Sequence, residues 1–85
     1  MSRRKLLQRL LGGRSDANSR FNDLCNLLRS LGFHERTRGS HHVYVKEGVE
    51  DMINLQREGS RAKPYQVRQV RRVLVRYGLG DIEDA

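Results

Sequence analysis

The spacing of apolar residues changes period twice along the chain, and that change restricts the fold more than any other feature. Between residues 21 and 31, Phe21, Leu24, Cys25, Leu28 and Leu31 recur every three or four positions and share one helical face. Gly32 then closes the helix through a left-handed backbone, with Phe33 placed to fold back on the apolar side. From there the period is two. Residues 33–38 and 41–46 read as strands joined at Gly39-Ser40, the second rich in β-branched and aromatic side chains. Gly48 centres a turn over 47–50, and 52–56 make a third strand with Ile53 and Leu55 facing the core. Residues 57–63 read as a basic loop. At Pro64, a residue suited to a first helical turn, the helical period returns: Val67, Val70, Val73, Leu74 and Tyr77 cover one side and Gly78 ends the helix. Arg68, Arg72 and Arg76, four apart, make a basic stripe beside the apolar one.

Connections this short between helix, three strands and helix predict an α+β fold, a three-stranded antiparallel meander with its helices on one face and the other face open. Ahead of it, Leu6, Leu7, Leu10 and Leu11 mark a short amphipathic N-terminal helix stopped by Gly12-Gly13. The expected division is therefore an N-terminal helix and linker over 1–19, a compact domain over 20–80 and an acidic tail over 81–85.

A chain of 85 residues buries only about 60–65% of its unfolded surface, so chemistry belongs on an open face and not in a deep cavity. The single cysteine excludes an internal disulfide and a cysteine-based zinc cluster, and its place on the apolar helix face makes Cys25 a buried hydrophobe. No apolar run approaches a membrane span, and the basic start lacks the apolar stretch of a signal peptide. The cytoplasm is the expected location, with no membrane as partner. Charge points elsewhere. There are 17 Lys and Arg against 10 Asp and Glu, and residues 57–76 hold Glu58 as their sole acid. Such a field attracts polyanions, which makes nucleic acid the first partner to consider.

His41 and His42 invite a metal, but adjacent strand residues point to opposite faces and no spacing fits a zinc motif, so neither a metal nor another cofactor is expected. Ser40 and His41 are likewise too close in an extended chain to form a nucleophile and base. A histidine on a basic surface has a further use. Cutting RNA requires taking a proton from a 2′-hydroxyl and giving one to the leaving 5′-oxygen, and imidazole serves either step near neutrality. Arg36, Arg38, Lys46 and Lys63 would position phosphate, and Arg68 and Arg72 would extend the basic surface. Tyr44 is placed either to stack on an unpaired base or to sit half-buried as a strand tyrosine, while Tyr65 beside Pro64 reads as packing.

The segment Arg38-Gly39-Ser40-His41-His42-Val43-Tyr44, after a helix ending Leu31-Gly32-Phe33, resembles the signature of the HicA family, the ribonuclease toxins of bacterial HicA–HicB toxin–antitoxin systems. Ile53-Asn54-Leu55-Gln56, then Ala62-Lys63-Pro64-Tyr65-Gln66-Val67-Arg68-Gln69-Val70-Arg71 and Tyr77-Gly78-Leu79, resemble a HicA-like subgroup in wording and spacing. The resemblance implies a double-stranded-RNA-binding-like α-β-β-β-α fold. It also implies a metal-independent mRNA interferase, an endoribonuclease that stops growth by cutting messages and is held inactive by a HicB antitoxin. The family's catalytic histidine follows Gly-Ser, which carries over to His41, with Gly39 as the turn glycine that lets backbone approach the substrate. Some members use the next position, here His42. Alternation favours that choice if Val43 and Val45 face the helices, since His42 and Tyr44 then share the open side. The chain departs from the family where many members place a proline and a histidine after the third strand. It has Gln56-Arg57-Glu58 instead, so either Gln56, Arg57 or Lys63 takes over phosphate contact, or the chain cuts poorly and is mainly a non-catalytic RNA-binding or partner-binding module of the same fold. The N-terminal helix, an addition to the shortest members, would pack over the core or serve as a handle for the antitoxin.

Overall fold

Helix α2 (Phe21–Ser30) ends through its glycine: Gly32 takes a φ of 93°, and the amides of Gly32 and Phe33 bond back to the carbonyls of Arg29 and Leu28, both at 3.0 Å. The chain then turns directly into an antiparallel meander, β1 (His34–Arg38), β2 (His41–Lys46) and β3 (Val49–Leu55), in the order β1-β2-β3. These elements belong to a computed structural model that describes residues 3–13 and 16–80. Helix α3 (Pro64–Arg76) carries its proline in the first turn and runs beside β3, and α1 (Arg3–Gly12) lies against α2 and α3. The fold is α+β, with helices on one side of a three-stranded sheet. Among the described residues no helix is long and apolar enough to cross a membrane.

One continuous core joins the layers. Leu24, Leu28, Ile53, Leu55, Val67, Val70 and Leu74 are fully buried, and α1 adds Leu7 and Leu10. The C-terminal end of α1 is tied down by Arg71, whose guanidinium donates to the Leu10 carbonyl and to both carboxylate oxygens of Asp16, at 2.8 and 2.9 Å. Asp16 itself sits in a 3₁₀ turn, Asp16–Asn18, so that part of the expected linker is held against α3. Arg14 and Ser15 of that linker, and the acidic tail at 81–85, lie outside the described residues.

Two features differ from the sequence expectation. The third strand starts at Val49 instead of Met52, because Val49 pairs with Lys46 after a shift of register between Tyr44 and Lys46. The basic loop at 57–63 is a small hairpin, β4 (Arg57–Glu58) with β5 (Arg61–Ala62). Backbone bonds from Phe21 to Ser60 and from Ala62 to Ser19 fasten it to the start of α2. The outer edge of β3 is covered by α3 side chains. Gln66 accepts from the Gln56 amide just beyond the strand, Gln69 donates to the Met52 carbonyl, and the Tyr77 hydroxyl accepts from the Glu50 amide.

Candidate functional site

Register decides which histidine faces which way. β2 pairs with β3 so that Tyr44 lies opposite Ile53 and His42 opposite Leu55. Ile53 and Leu55 point into the core, so Tyr44 and His42 share the helix-covered side. Val43 and Val45 therefore face the open side, where the sequence expectation placed His42 and Tyr44, and His41 goes with them.

His41 begins β2 directly after the turn at Gly39-Ser40. Gly39 has a φ of 57°, as the first central position of a two-residue hairpin turn demands, and a Cβ there would meet no atom within 4 Å. The backbone at this turn is thus open to an approaching ligand. His41 is exposed and pairs across the hairpin with Arg38; Arg36 pairs with Val43 on the same face. Both arginines are exposed. From the β3 side, Asn54 Nδ2 comes to 3.3 Å of His41 Nδ1, and Gln56 Nε2 to 3.3 Å of Nε2. Gln56 also reaches Ser40 Oγ at 3.5 Å, and Lys63 Nζ donates to Gln56 Oε1 at 3.4 Å. The buried Gln66, 2% exposed, holds the Gln56 backbone amide at 2.8 Å and so fixes the end of this row. The predicted residues Arg36, Arg38, Gly39, Ser40, His41, Gln56 and Lys63 thus form one neighbourhood, to which Asn54 is added. Its place between Ile53 and Leu55 was the signal, since inward neighbours turn it outward.

His42 occupies a different environment. Its ring meets Phe21 edge-on, with centroids 4.9 Å apart, and Nδ1 lies 3.5 Å from Thr37 Oγ1 and 3.8 Å from Glu35 Oε1. Arg57 stacks on Phe21 at 4.5 Å and donates to Asn22. The assignment of Tyr44 as a base-stacking residue is corrected: its side chain is fully buried and its hydroxyl donates to Glu35, because an amphipathic ring facing Ile53 fills the core and needs one polar partner. Burial pushes the Tyr44 phenol far above its ordinary range and raises the Cys25 thiol as well. The Tyr44 hydroxyl, with Arg29 at 2.7 Å, holds the Glu35 carboxyl below its usual value.

Lys46 is also displaced from the site. It ends β2 five residues from His41, about 16 Å along an extended strand, and its ammonium lies against Gly32. Tyr65, expected to pack, is 55% exposed at the start of α3, where its hydroxyl accepts from Gln66 at 3.5 Å. Arg68 and Arg72 are exposed on α3, and Arg72 lines a groove with Asp51 and Met52 near the other end of β3. Of the remaining arginines of this helix, Arg71 is engaged by Asp16 and Arg76 by Asp51 at 3.5 Å. Among the described residues no three His, Cys, Asp or Glu side chains gather as metal ligands. No family model, curated protein or solved structure matches the chain.

Proposed function

We propose that this chain is a HicA-like toxin with a double-stranded-RNA-binding-like fold, a metal-independent endoribonuclease that cuts mRNA in the cytoplasm and is neutralised by a HicB-like antitoxin. One observation carries the proposal: the histidine after Gly-Ser, His41, stands exposed on the open sheet face, with Arg38 across the hairpin and Gln56 and Lys63 beside it. In that setting Arg36, Arg38 and Lys63 hold phosphate and the imidazole takes the proton of a 2′-hydroxyl. As the 2′-oxygen bonds to phosphorus, the bond to the 5′-oxygen breaks. The leaving oxygen takes a proton from water, giving a 2′,3′-cyclic phosphate and a 5′-hydroxyl. The exposed Tyr65 ring, beside Gln66 at the start of α3, takes over the stacking role first given to Tyr44.

A second reading has its own observation. Among the described residues His41 is contacted by two carboxamides and by no carboxylate or second imidazole, a setting that also suits a non-catalytic RNA-binding or partner-binding module. Incubating purified protein with labelled single-stranded RNA in EDTA separates the two. Cleavage by the wild type and by His42→Ala, lost in folded His41→Ala, supports the nuclease. Salt-sensitive binding without cleavage by any form moves the assignment to the binding module. For the antitoxin, protection of cells by an acidic HicB-like protein encoded beside this gene is expected, and its failure to protect removes that partner.

A further inference from the structure

The imidazole of His41 is approached at both nitrogens by carboxamide groups, Asn54 at Nδ1 and Gln56 at Nε2, each 3.3 Å away. A neutral imidazole has one N–H and one lone pair, so two amide NH₂ groups cannot both donate to it. One carboxamide must offer its oxygen instead. The two ends of a carboxamide have nearly the same shape, and the hydrogen bonds around it decide which way it faces. For Gln56 they do decide. Its Oε1 receives the Lys63 ammonium at 3.4 Å, and turning the group over would set an NH₂ against that cation. Ser40 Oγ, 3.5 Å from Gln56 Nε2, can accept or donate and is indifferent. Asn54 has no such anchor. The far end of its carboxamide, Oδ1, is buried without a hydrogen-bond partner, so either orientation leaves one buried end unmet and the group is free to suit the ring.

We infer that Asn54 turns its oxygen to His41, holds the proton on Nδ1, and thereby leaves the lone pair on Nε2, where Gln56, Ser40 and Lys63 converge. Asn54 is thus a positioning residue, and Lys63 sets the tautomer indirectly by orienting Gln56. The functional consequence rests on the nuclease reading: the 2′-hydroxyl displaces the Gln56 amide and gives its proton to Nε2, and Asn54 keeps its bond to Nδ1–H while the ring carries both protons. A residue at this position that could not accept a hydrogen bond would let the lone pair move to Nδ1, away from the Gln56 side of the ring.

Long-range ¹H–¹⁵N correlation spectra of labelled protein, recorded at alkaline pH where imidazole is ordinarily neutral, read the tautomer directly. His41 is expected as the Nδ1–H form in the wild type and in Asn54→Asp, whose carboxylate also accepts. Asn54→Leu and Lys63→Met are expected to give a mixture, with His34 and His42 unchanged. Finding wild-type His41 mainly as the Nε2–H form, or finding both Asn54→Leu and Lys63→Met identical to wild type, overturns the assignment. In a parallel cleavage assay Asn54→Leu slows the cut on the order of 100-fold at equal RNA affinity, and Asn54→Asp restores most of the rate. A wild type that binds RNA without cutting removes the nuclease reading and leaves the spectroscopic test of the tautomer intact.

Discussion

His41 and His42 are neighbours in the chain and occupy two unlike chemical settings. On the open face His41 is exposed, ringed by amides and flanked by Arg36 and Arg38 that no described carboxylate neutralises. On the covered face His42 leans on Phe21 and faces Thr37 and Glu35, in a network that continues through Tyr44 and Arg29. The first face has charge and hydrogen-bonding capacity left over for a ligand; the second spends both internally. A strand's two-residue period is enough to separate an open surface from a structural one within a single dipeptide.

The contrast breaks first at the histidines themselves. His41→Ala is expected to slow RNA cleavage by roughly 10²–10⁴-fold with little change in denaturant midpoint, whereas His42→Ala keeps the activity and loses about 1–2 kcal/mol of stability. Reversal of that pattern in paired cleavage and unfolding measurements would assign chemistry to the covered face. The tyrosines repeat the test at smaller scale. Tyr65→Ala should weaken RNA binding by about 1–3 kcal/mol without changing stability, while Tyr44→Phe should cost about 1–2 kcal/mol of stability and leave binding alone.

Acid sharpens the comparison further. The carboxyls of Glu35 and Asp16 are held low, the first by the Tyr44 hydroxyl and Arg29, the second by Arg71. As pH falls the unfolded chain binds these protons first. The stability they contribute is full above the ordinary carboxylate range, about pH 4–5, and is lost as pH drops toward their lowered values. Glu35→Gln should therefore flatten the acid limb of a stability profile, and an unchanged limb would show that the covered network carries no such linkage. The smallest effect is expected in salt titrations of RNA binding. Arg36→Gln and Arg38→Gln should each reduce the slope of log affinity against log salt by about 0.7, and Lys46→Gln should leave it as it is.

Much of this architecture was legible in residue spacing. Phe21 to Leu31 and Val67 to Tyr77 show one apolar face each, and Gly32, Gly39 and Pro64 stand where helix ends and a tight turn require them. What spacing could not supply was the facing of β2. His-His-Val-Tyr-Val is apolar on both faces, so its own alternation is symmetric, and only the pairing of Tyr44 with Ile53 and of His42 with Leu55 resolves it. The hairpin at 57–62 was hidden for another reason. Arg57, Glu58 and Arg61 carry no apolar alternation, and backbone bonds to Ser19 and Phe21 hold the segment in place. In the site, His41, Gln56 and Lys63 were visible as a motif. Asn54 was not singled out because its role depends on reaching a side chain thirteen residues away, and Lys46 misled because nearness in sequence along a strand is distance in space.

The capping of β3 by Gln66, Gln69 and Tyr77 gives the sheet a direction of growth. A strand arriving from outside finds those donors and acceptors occupied, while β1 is bordered by no further strand among the described residues. Any extension of the sheet must therefore begin at β1, whose Arg36 and Arg38 repel another copy of the same strand and welcome one rich in carboxylates. Charge at that edge thus disfavours a second copy of β1 and favours a strand of opposite sign.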